Sequence, residues 1–306
     1  MGYSLKKEAE KKERLAGGHR LCAGCGAGIT VRGVLRALEP EDKAVVVNAT
    51  SCLEVSTFMY PYTAYEDSFI HSAFENAAAT CAGVEEAYKA LKARGKVKDN
   101  FKFITFGGDG GTYDIGLQSL SGAIERGHDM VYVCYDNEAY MNTGIQKSSL
   151  TPFGARTTTT PAGKNIRGNL RPKKNMFEIV AAHGIPYAAT ASVGYLNDFM
   201  RKVEKASKIK GTKFIHIIAP CPTGWGIPSD ETVEIAKEVV DCGLWVLAEY
   251  ENGEFTLNHR PKAFTDPADY LRKQSRFRHL TDEDIEVIIR SRNEKWEKIT
   301  NQYKIN

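Results

Sequence analysis

Several things are missing from this sequence, and each absence narrows the field. No apolar run approaches the roughly 20 residues needed to span a bilayer. The N-terminal KKEAEKKER is charged where a secretory signal would carry its apolar core. A cytoplasmic chain that stays off the membrane is therefore expected. An excess of one charge is also missing: 41 basic and 38 acidic side chains leave a net charge of +3, so no general attraction to nucleic acid is expected. There is no internal repeat, no low-complexity tract and no Pro/Gly linker cutting the chain into halves. No GxGxxG with a later ribose-binding acid follows any strand, which argues against a nicotinamide dinucleotide. The seven cysteines, in a chain expected to be cytoplasmic, point away from a disulfide framework and toward metal ligation, redox chemistry or burial.

What is present alternates. Short runs rich in Val, Ile and Tyr at 44–50, 101–108, 130–137, 187–191, 214–220 and 244–250 read as buried strands. Helix-period stretches lie between them, including HSAFENAAATCAGVEEAYKALKARG, YDIGLQSLSGAIERG, MFEIVAAHG and YLNDFMRKVEKASK. This pattern predicts an α/β fold with a mostly parallel sheet and helices on both faces, whose ligands sit outside the carboxyl ends of the strands. Residues 1–18 read as an N-terminal helical arm, 19–257 as the α/β domain and 258–306 as a charged helical extension. The long segment from Thr143 to Lys174 carries Arg156, Lys164, Arg167, Arg171, Lys173 and Lys174. A loop of that length is usually functional or an interface; a partner chain, a phosphate-bearing ligand and plain solvent are all open as its contacts.

GGDGGTYDIG follows a strand directly and opens a helix, so Gly107, Gly108, Gly110 and Gly111 surround one carboxylate, Asp109. Glycines let backbone N–H groups approach diphosphate oxygens closely, and a carboxylate is a hard ligand for Mg²⁺. A tight turn with Asp109 as helix cap would look similar. The second half of a site follows at the end of the next strand, where Asp136-Asn137 comes after twenty-six residues from Gly110.

Cys22-Ala-Gly-Cys25 is half of a four-cysteine site, with Gly24 and Gly26 freeing its backbone. Cys52 and Cys221 each follow a strand, and Cys221 precedes Pro, a neighbour common in iron-sulfur loops. Cys81 lies in an Ala-rich helix and Cys134 in a strand, where burial explains them; Cys242 also reads as structural. By itself the CxxC leaves zinc and iron-sulfur equally open.

The Gly108-Asp109-Gly110 to Asn137 spacing resembles that of thiamine diphosphate enzymes. GHRLCAGCGAG, ATSCLEVSTFMYPYTA, IHSAFENAAAT, FGGDGGTYDIGLQSLSGAIERGH and YDNEAYMNTG together resemble the β subunits of pyruvate:ferredoxin oxidoreductase and its 2-oxoacid relatives, including the oxalate-oxidising branch. The resemblance runs from about His19 to Trp225. It implies Mg²⁺ on Asp109, the Asn137 side chain and the backbone oxygen of Ala139, with Gly108, Gly110 and Gly111 along the diphosphate. It implies a 4Fe-4S cluster on Cys22, Cys25, Cys52 and Cys221. Asn142 matches a position facing the reactive end of thiamine, with Thr143 a weaker neighbour; as a plain turn residue Asn142 would need no such role. His71 and Glu75, one turn apart on an expected helix, invite an acid/base assignment, but capping or an interface suits such a pair better. His19 and Arg20 beside the CxxC could offset a cluster's negative charge.

The resemblance further implies oxidative decarboxylation of a 2-oxoacid, with electrons leaving through the cluster to ferredoxin. Pyruvate with CoA is the default and oxalate the main alternative. It implies an α subunit that supplies the pyrimidine-binding domain, and a ferredoxin-like chain or domain with further clusters. Two rivals stay open: a non-redox decarboxylase or carboligase subunit with a structural zinc, and a non-catalytic zinc-bearing assembly subunit.

Overall fold

The computed structural model describes residues 4–304; the first residues of the arm and the last of the tail lie outside them. Ten strands form: β1 Lys43–Ala49, β2 Phe58–Met59, β3 Tyr62–Thr63, β4 Ser68–Ser72, β5 Phe101–Gly108, β6 Val131–Asp136, β7 Tyr187–Ser192, β8 Lys213–Ile218, β9 Leu247–Glu251 and β10 Glu254–His259. Eight make one sheet in the order β10-β9-β7-β8-β6-β5-β1-β4, parallel from β4 through β7, with β9 and β10 antiparallel at one edge. The α/β class expected from the alternating pattern is borne out.

Side chains alternate across the sheet with the strand's period of two. Val46 on β1, Ile104 and Phe106 on β5, and Val133 and Tyr135 on β6 enter one core, against the helices Gly26–Arg36 and Leu196–Lys208. Their neighbours Val47, Phe103, Tyr132 and Cys134 enter the other, with the helices Ala77–Ala93, Leu117–Glu125 and Met176–Ala182. Helix Leu196–Lys208 buries Phe199, Met200, Val203 and Ala206, an i, i+4, i+7 stripe. It lies so close to helix Gly26–Arg36 that a Cβ on Gly33 would sit 2.5 Å from the Phe199 ring. The last helix, Asp282–Tyr303, starts with a capping box between Thr281 and Asp284 and packs Trp296 into the second core. No helix among the described residues is long and apolar enough to cross a membrane.

Two strands of the main sheet depart from the reading of the sequence, and the short pair β2 and β3 was not expected either. The stretch beginning at His71 was expected to be helical, yet Ser68–Ser72 is the edge strand β4 and the helix starts only at Ala77. Phe69 stacks on Tyr65 at 4.9 Å and the strand pairs with β1, so tertiary contacts outweigh the helical tendency of the alanines that follow. His71 and Glu75 therefore share no helical face. The second is β10, turned back from β9 at Asn252-Gly253 with φ of 50° and 87°. An Asn-Gly pair is a strong hairpin signal, and it was legible in the sequence.

Glu249 on β9 joins this edge to the fold. Its side chain, 4% exposed, accepts from Tyr187 at 2.7 Å and pairs with Lys205 and Arg201 at 3.0 Å. Burial would raise its pKa, but these partners outweigh that and hold it at about 2, from 4.5. A depressed carboxylate contributes stability above its unfolded value that is lost as pH falls through the folded one. Glu249→Gln should therefore cost up to about 3 kcal/mol at pH 7 in urea unfolding. The gap to the parent protein should narrow between pH 4.5 and about 2; an equal gap at both ends would contradict this.

Candidate functional site

In the sheet β8, β6, β5 and β1 are adjacent and parallel, so their carboxyl ends open onto one edge. Each carries a segment singled out in the sequence: Ser51-Cys52 after β1, Asp109 after β5, Asn137 after β6 and Cys221 after β8. A cleft lies there, lined by Cys52, Phe74, Gly108, Asp109, Gly110, Gly111, Asn137, Ala139, Asn142 and Thr143 among others. Asn142 is exposed at its rim, and no hydrogen bond holds its amide among the described residues. The Thr143 hydroxyl donates to Gln146. Gly110 is required by contact: a Cβ there would lie 2.2 Å from the Tyr140 ring, whose hydroxyl donates to Gly110 O. The chain beyond it forms a π-helical turn, Gly111–Ile115, a form frequent at functional sites.

The closest convergence is of oxygens. The Asn137 amide turns one terminal atom toward Asp109 Oδ1 at 3.2 Å and Ala139 O at 2.9 Å. With nitrogen inward, Asn137 donates to both. With oxygen inward, it lies about 3 Å from each of two other oxygens, the edge length of an octahedron with Mg–O bonds of about 2.1 Å. Asp109 is 2% exposed, and its other oxygen accepts from Ser148. Burial, then the neighbouring Asp136, pushes its carboxyl well above the usual range. A buried carboxylate in that setting calls for a cation.

The four cysteines singled out in the sequence gather on the same edge. The CxxC caps helix Gly26–Arg36, and Gly26 N–H donates to Pro220 O at 3.0 Å, joining it to the Cys221 loop. Gly24 has φ of +68°, and a Cβ there would overlap Ser229 O at 1.9 Å, so only glycine closes this turn. Burial raises the Cys52 thiol to about 12, with Cys221, Cys25, Cys22 and Asp109 adding to the shift. Burial likewise raises Cys221 to about 11 and also raises Cys25. Each thiol thus opposes the ionisation of the next. Cys81, Cys134 and Cys242 are fully buried elsewhere, as the sequence suggested.

Residues 49–217 match the family described as thiamine pyrophosphate enzyme, C-terminal TPP binding domain. The chain is 56% identical over 280 residues to pyruvate synthase subunit PorB of Methanocaldococcus jannaschii, covering 91% of this chain and 93% of that one. It is 48% identical to ketoisovalerate oxidoreductase subunit VorB of Pyrococcus abyssi, covering 94% and 93%. The chain belongs to the β-subunit family of 2-oxoacid:ferredoxin oxidoreductases. A solved 2-oxoglutarate:ferredoxin oxidoreductase from Magnetococcus marinus, with 2-oxoglutarate, coenzyme A and succinyl-CoA bound, shares its fold. The TM-score is 0.58 at 20% identity, covering 74% of this chain and 79% of that one.

In this oxidoreductase subunit the basic segment 143–174 is partly drawn inward, which its charge alone did not foretell. Lys173 Nζ lies 3.2 Å from Asp136 Oδ2 and 2.6 Å from Glu138 Oε1; Arg167 pairs with Asp284 at 2.5 Å; Lys174 donates to Tyr113 O. Glu138, at a left-handed φ of 68°, is held from its other side by Arg276 at 2.5 Å. Arg156, Lys164 and Arg171 are exposed. His71, expected on a helix, instead pairs from β4 with buried Glu54 at 2.7 Å. Among the described residues, Glu85, Glu86 and His128 have ligand atoms within 4.8 Å of one another. Lys89 bridges those carboxylates at 2.8 and 2.9 Å and Arg126 donates to His128 at 3.1 Å, so the cluster is already satisfied.

A carboxyl whose folded pKa is raised stabilises the fold only below its unfolded value, and that contribution is lost as pH rises. In chelator at pH 7, Asp109→Asn should therefore melt no lower than the parent protein, and by calorimetry about 1–2 kcal/mol more stable. The advantage should vanish below pH 3.8, the unfolded value. A marked loss of stability in chelator would show that the carboxylate is satisfied without a cation.

Proposed function

We propose that this chain binds thiamine diphosphate through Mg²⁺ held by Asp109, the Asn137 side chain and the backbone oxygen of Ala139. Gly108, Gly110 and Gly111 would run along the diphosphate, and Asn142 and Thr143 would face the reacting end. Cys22, Cys25, Cys52 and Cys221 would ligate a 4Fe-4S cluster. The activity is oxidative decarboxylation of pyruvate with CoA, passing electrons to ferredoxin. The observation that carries this reading is the convergence of the Asp109 carboxyl, the Asn137 amide and the Ala139 carbonyl beside a quartet of cysteines on one strand edge.

Thiamine supplies the electron sink for loss of CO₂. The residues of this chain position and enclose. Asp109 offers one oxygen outward while Ser148 holds the other. The exposed Asn142 amide is free to donate to a substrate carboxylate or to accept from a protonated oxygen. The cysteines favour iron-sulfur over zinc on geometric grounds. One zinc with Zn–S bonds of about 2.3 Å would need its sulfurs about 3.8 Å apart. No three of the four cysteines fall in a group within 4.8 Å, the span that does gather Glu85, Glu86 and His128. A wider cluster suits their spread.

Pyruvate is favoured over branched substrates because the PorB relatives exceed the VorB relatives in identity, 56% against 48%; oxalate is the alternative that the substrate assay below separates. Relatives named as subunits support an assembly with an α subunit covering the pyrimidine and a ferredoxin-like subunit. CoA and an external ferredoxin complete the proposed set of partners.

Two measurements test this. The anaerobically purified complex should reduce an electron acceptor fastest with pyruvate and CoA, among pyruvate, 2-oxoisovalerate, 2-oxoglutarate and oxalate. Activity with oxalate alone, independent of CoA, would move the chain to the oxalate branch. Replacing Cys221 or Cys52 by Ser should remove about four irons per copy of this chain from the assembled complex, whereas Cys242→Ala should remove none. Unchanged iron in both Ser variants would place every cluster on other subunits.

A further inference from the structure

His216 is a buried histidine that neither cofactor reading uses. It stands on β8, 5% exposed, opposite Cys134 on β6. Its Nδ1 lies 2.7 Å from the Tyr113 hydroxyl and its Nε2 lies 3.0 Å from Asp136 Oδ2; both partners are fully buried. The Asp136 carboxylate can only accept, so Nε2 carries the proton, Nδ1 accepts, and the Tyr113 phenol donates. Every polar atom of the relay is satisfied in one arrangement.

The two ends of the relay lie on different halves of the thiamine motif. Tyr113 belongs to the turn Gly111–Ile115 that follows Gly108-Asp109-Gly110. Asp136 ends β6 and immediately precedes Asn137. Asp136 also shapes the loop itself: its Oδ1 accepts the Glu138 N–H at 2.9 Å, setting the turn from which Asn137 and Ala139 present their oxygens. Its Oδ2 is shared between His216 and Lys173, at 3.0 and 3.2 Å. Trp245 meets the His216 ring edge-on at 4.7 Å and limits its rotation.

We infer that His216 is a positioning residue that couples the diphosphate turn to the metal loop, through Tyr113 on one side and Asp136 on the other, and so sets the affinity for Mg²⁺ and diphosphate. Without it Asp136 keeps Lys173 but loses the bond that fixes its carboxylate plane, and the 137–139 turn loses its tie to the turn after Asp109. The inference rests on the magnesium–diphosphate reading above. Groups that orient metal ligands from behind change metal affinity by about 10–100-fold when removed.

The test uses the assembled complex stripped of thiamine diphosphate and Mg²⁺. Rebinding is followed by tryptophan fluorescence, since Trp225 donates to Asn137 O at 2.8 Å. His216→Leu should raise the Mg²⁺ concentration for half-maximal rebinding about tenfold, and Tyr113→Phe by a smaller factor. His216→Gln, whose amide N–H can reach Asp136, should recover most of the loss. Melting in chelator separates positioning from mere stability. A His216→Leu complex that melts lower but rebinds at parental Mg²⁺ would overturn the inference. If that variant does not assemble, parental half-saturation in Tyr113→Phe would overturn it equally. Failure of the parent complex to bind thiamine diphosphate at all would instead overturn the cofactor reading.

Discussion

One buried carboxylate constrains the rest of the site. Asp109 sits 2% exposed at the end of β5, close to a second fully buried carboxylate, Asp136. A protein interior does not hold two neighbouring negative charges without compensation. The structure compensates one fully: burial would raise Asp136, but Lys173 and His216 outweigh it and hold it below the usual range. Asp109 receives a hydroxyl from Ser148 and no cationic side chain in direct contact. Among the described residues a lysine pairs with Asp136 and no cation contacts Asp109, whose carboxyl is pushed up by burial and by Asp136 and whose Oδ1 faces the Asn137 amide at 3.2 Å. That asymmetry is the physical ground for the cation site proposed at Asp109.

The long segment 143–174 is organised by the same constraint. Ser148 reaches Asp109, Ser149 reaches Asp114, Thr151 donates to Glu138 O at 2.8 Å, and Lys173 bridges Asp136 and Glu138. The segment is a brace behind the 137–139 loop, which its hydroxyls and one amine hold in place. Arg276, brought by the tail, stacks on Trp225 at 3.9 Å and closes the same network from the opposite side. The C-terminal segment thus supports the site through contacts that neither motif contains.

The cysteine quartet and the oxygen cluster are neighbours because β1 and β8 flank β5 and β6. Cys52 feels both Cys221 and Asp109. The thiamine family match, 49–217, includes Cys52 but neither the CxxC nor Cys221. The CxxC and Cys221 therefore lie outside that match, on a helix cap before β1 and a loop after β8.

The parallel sheet, six of its eight main strands, the Asp109–Asn137 spacing, the CxxC and the two strand-end cysteines were all legible in the sequence. Each is a local pattern: short buried apolar runs, glycines around an acid, a CxxC between glycines, a cysteine just past a strand end. The edge strand β4, the partners of Lys173 and the Tyr113–His216–Asp136 relay were not. Each of these depends on which strands lie side by side. His216 in FIHII reads as one polar residue in a buried strand, and Lys173 as one more charge in a basic loop. The sequence by itself determined the chemistry available at the strand ends. Only the tertiary structure decided how the charges pair, because β8 comes to lie beside β6 through a crossover, and proximity across a sheet leaves no mark on sequence spacing.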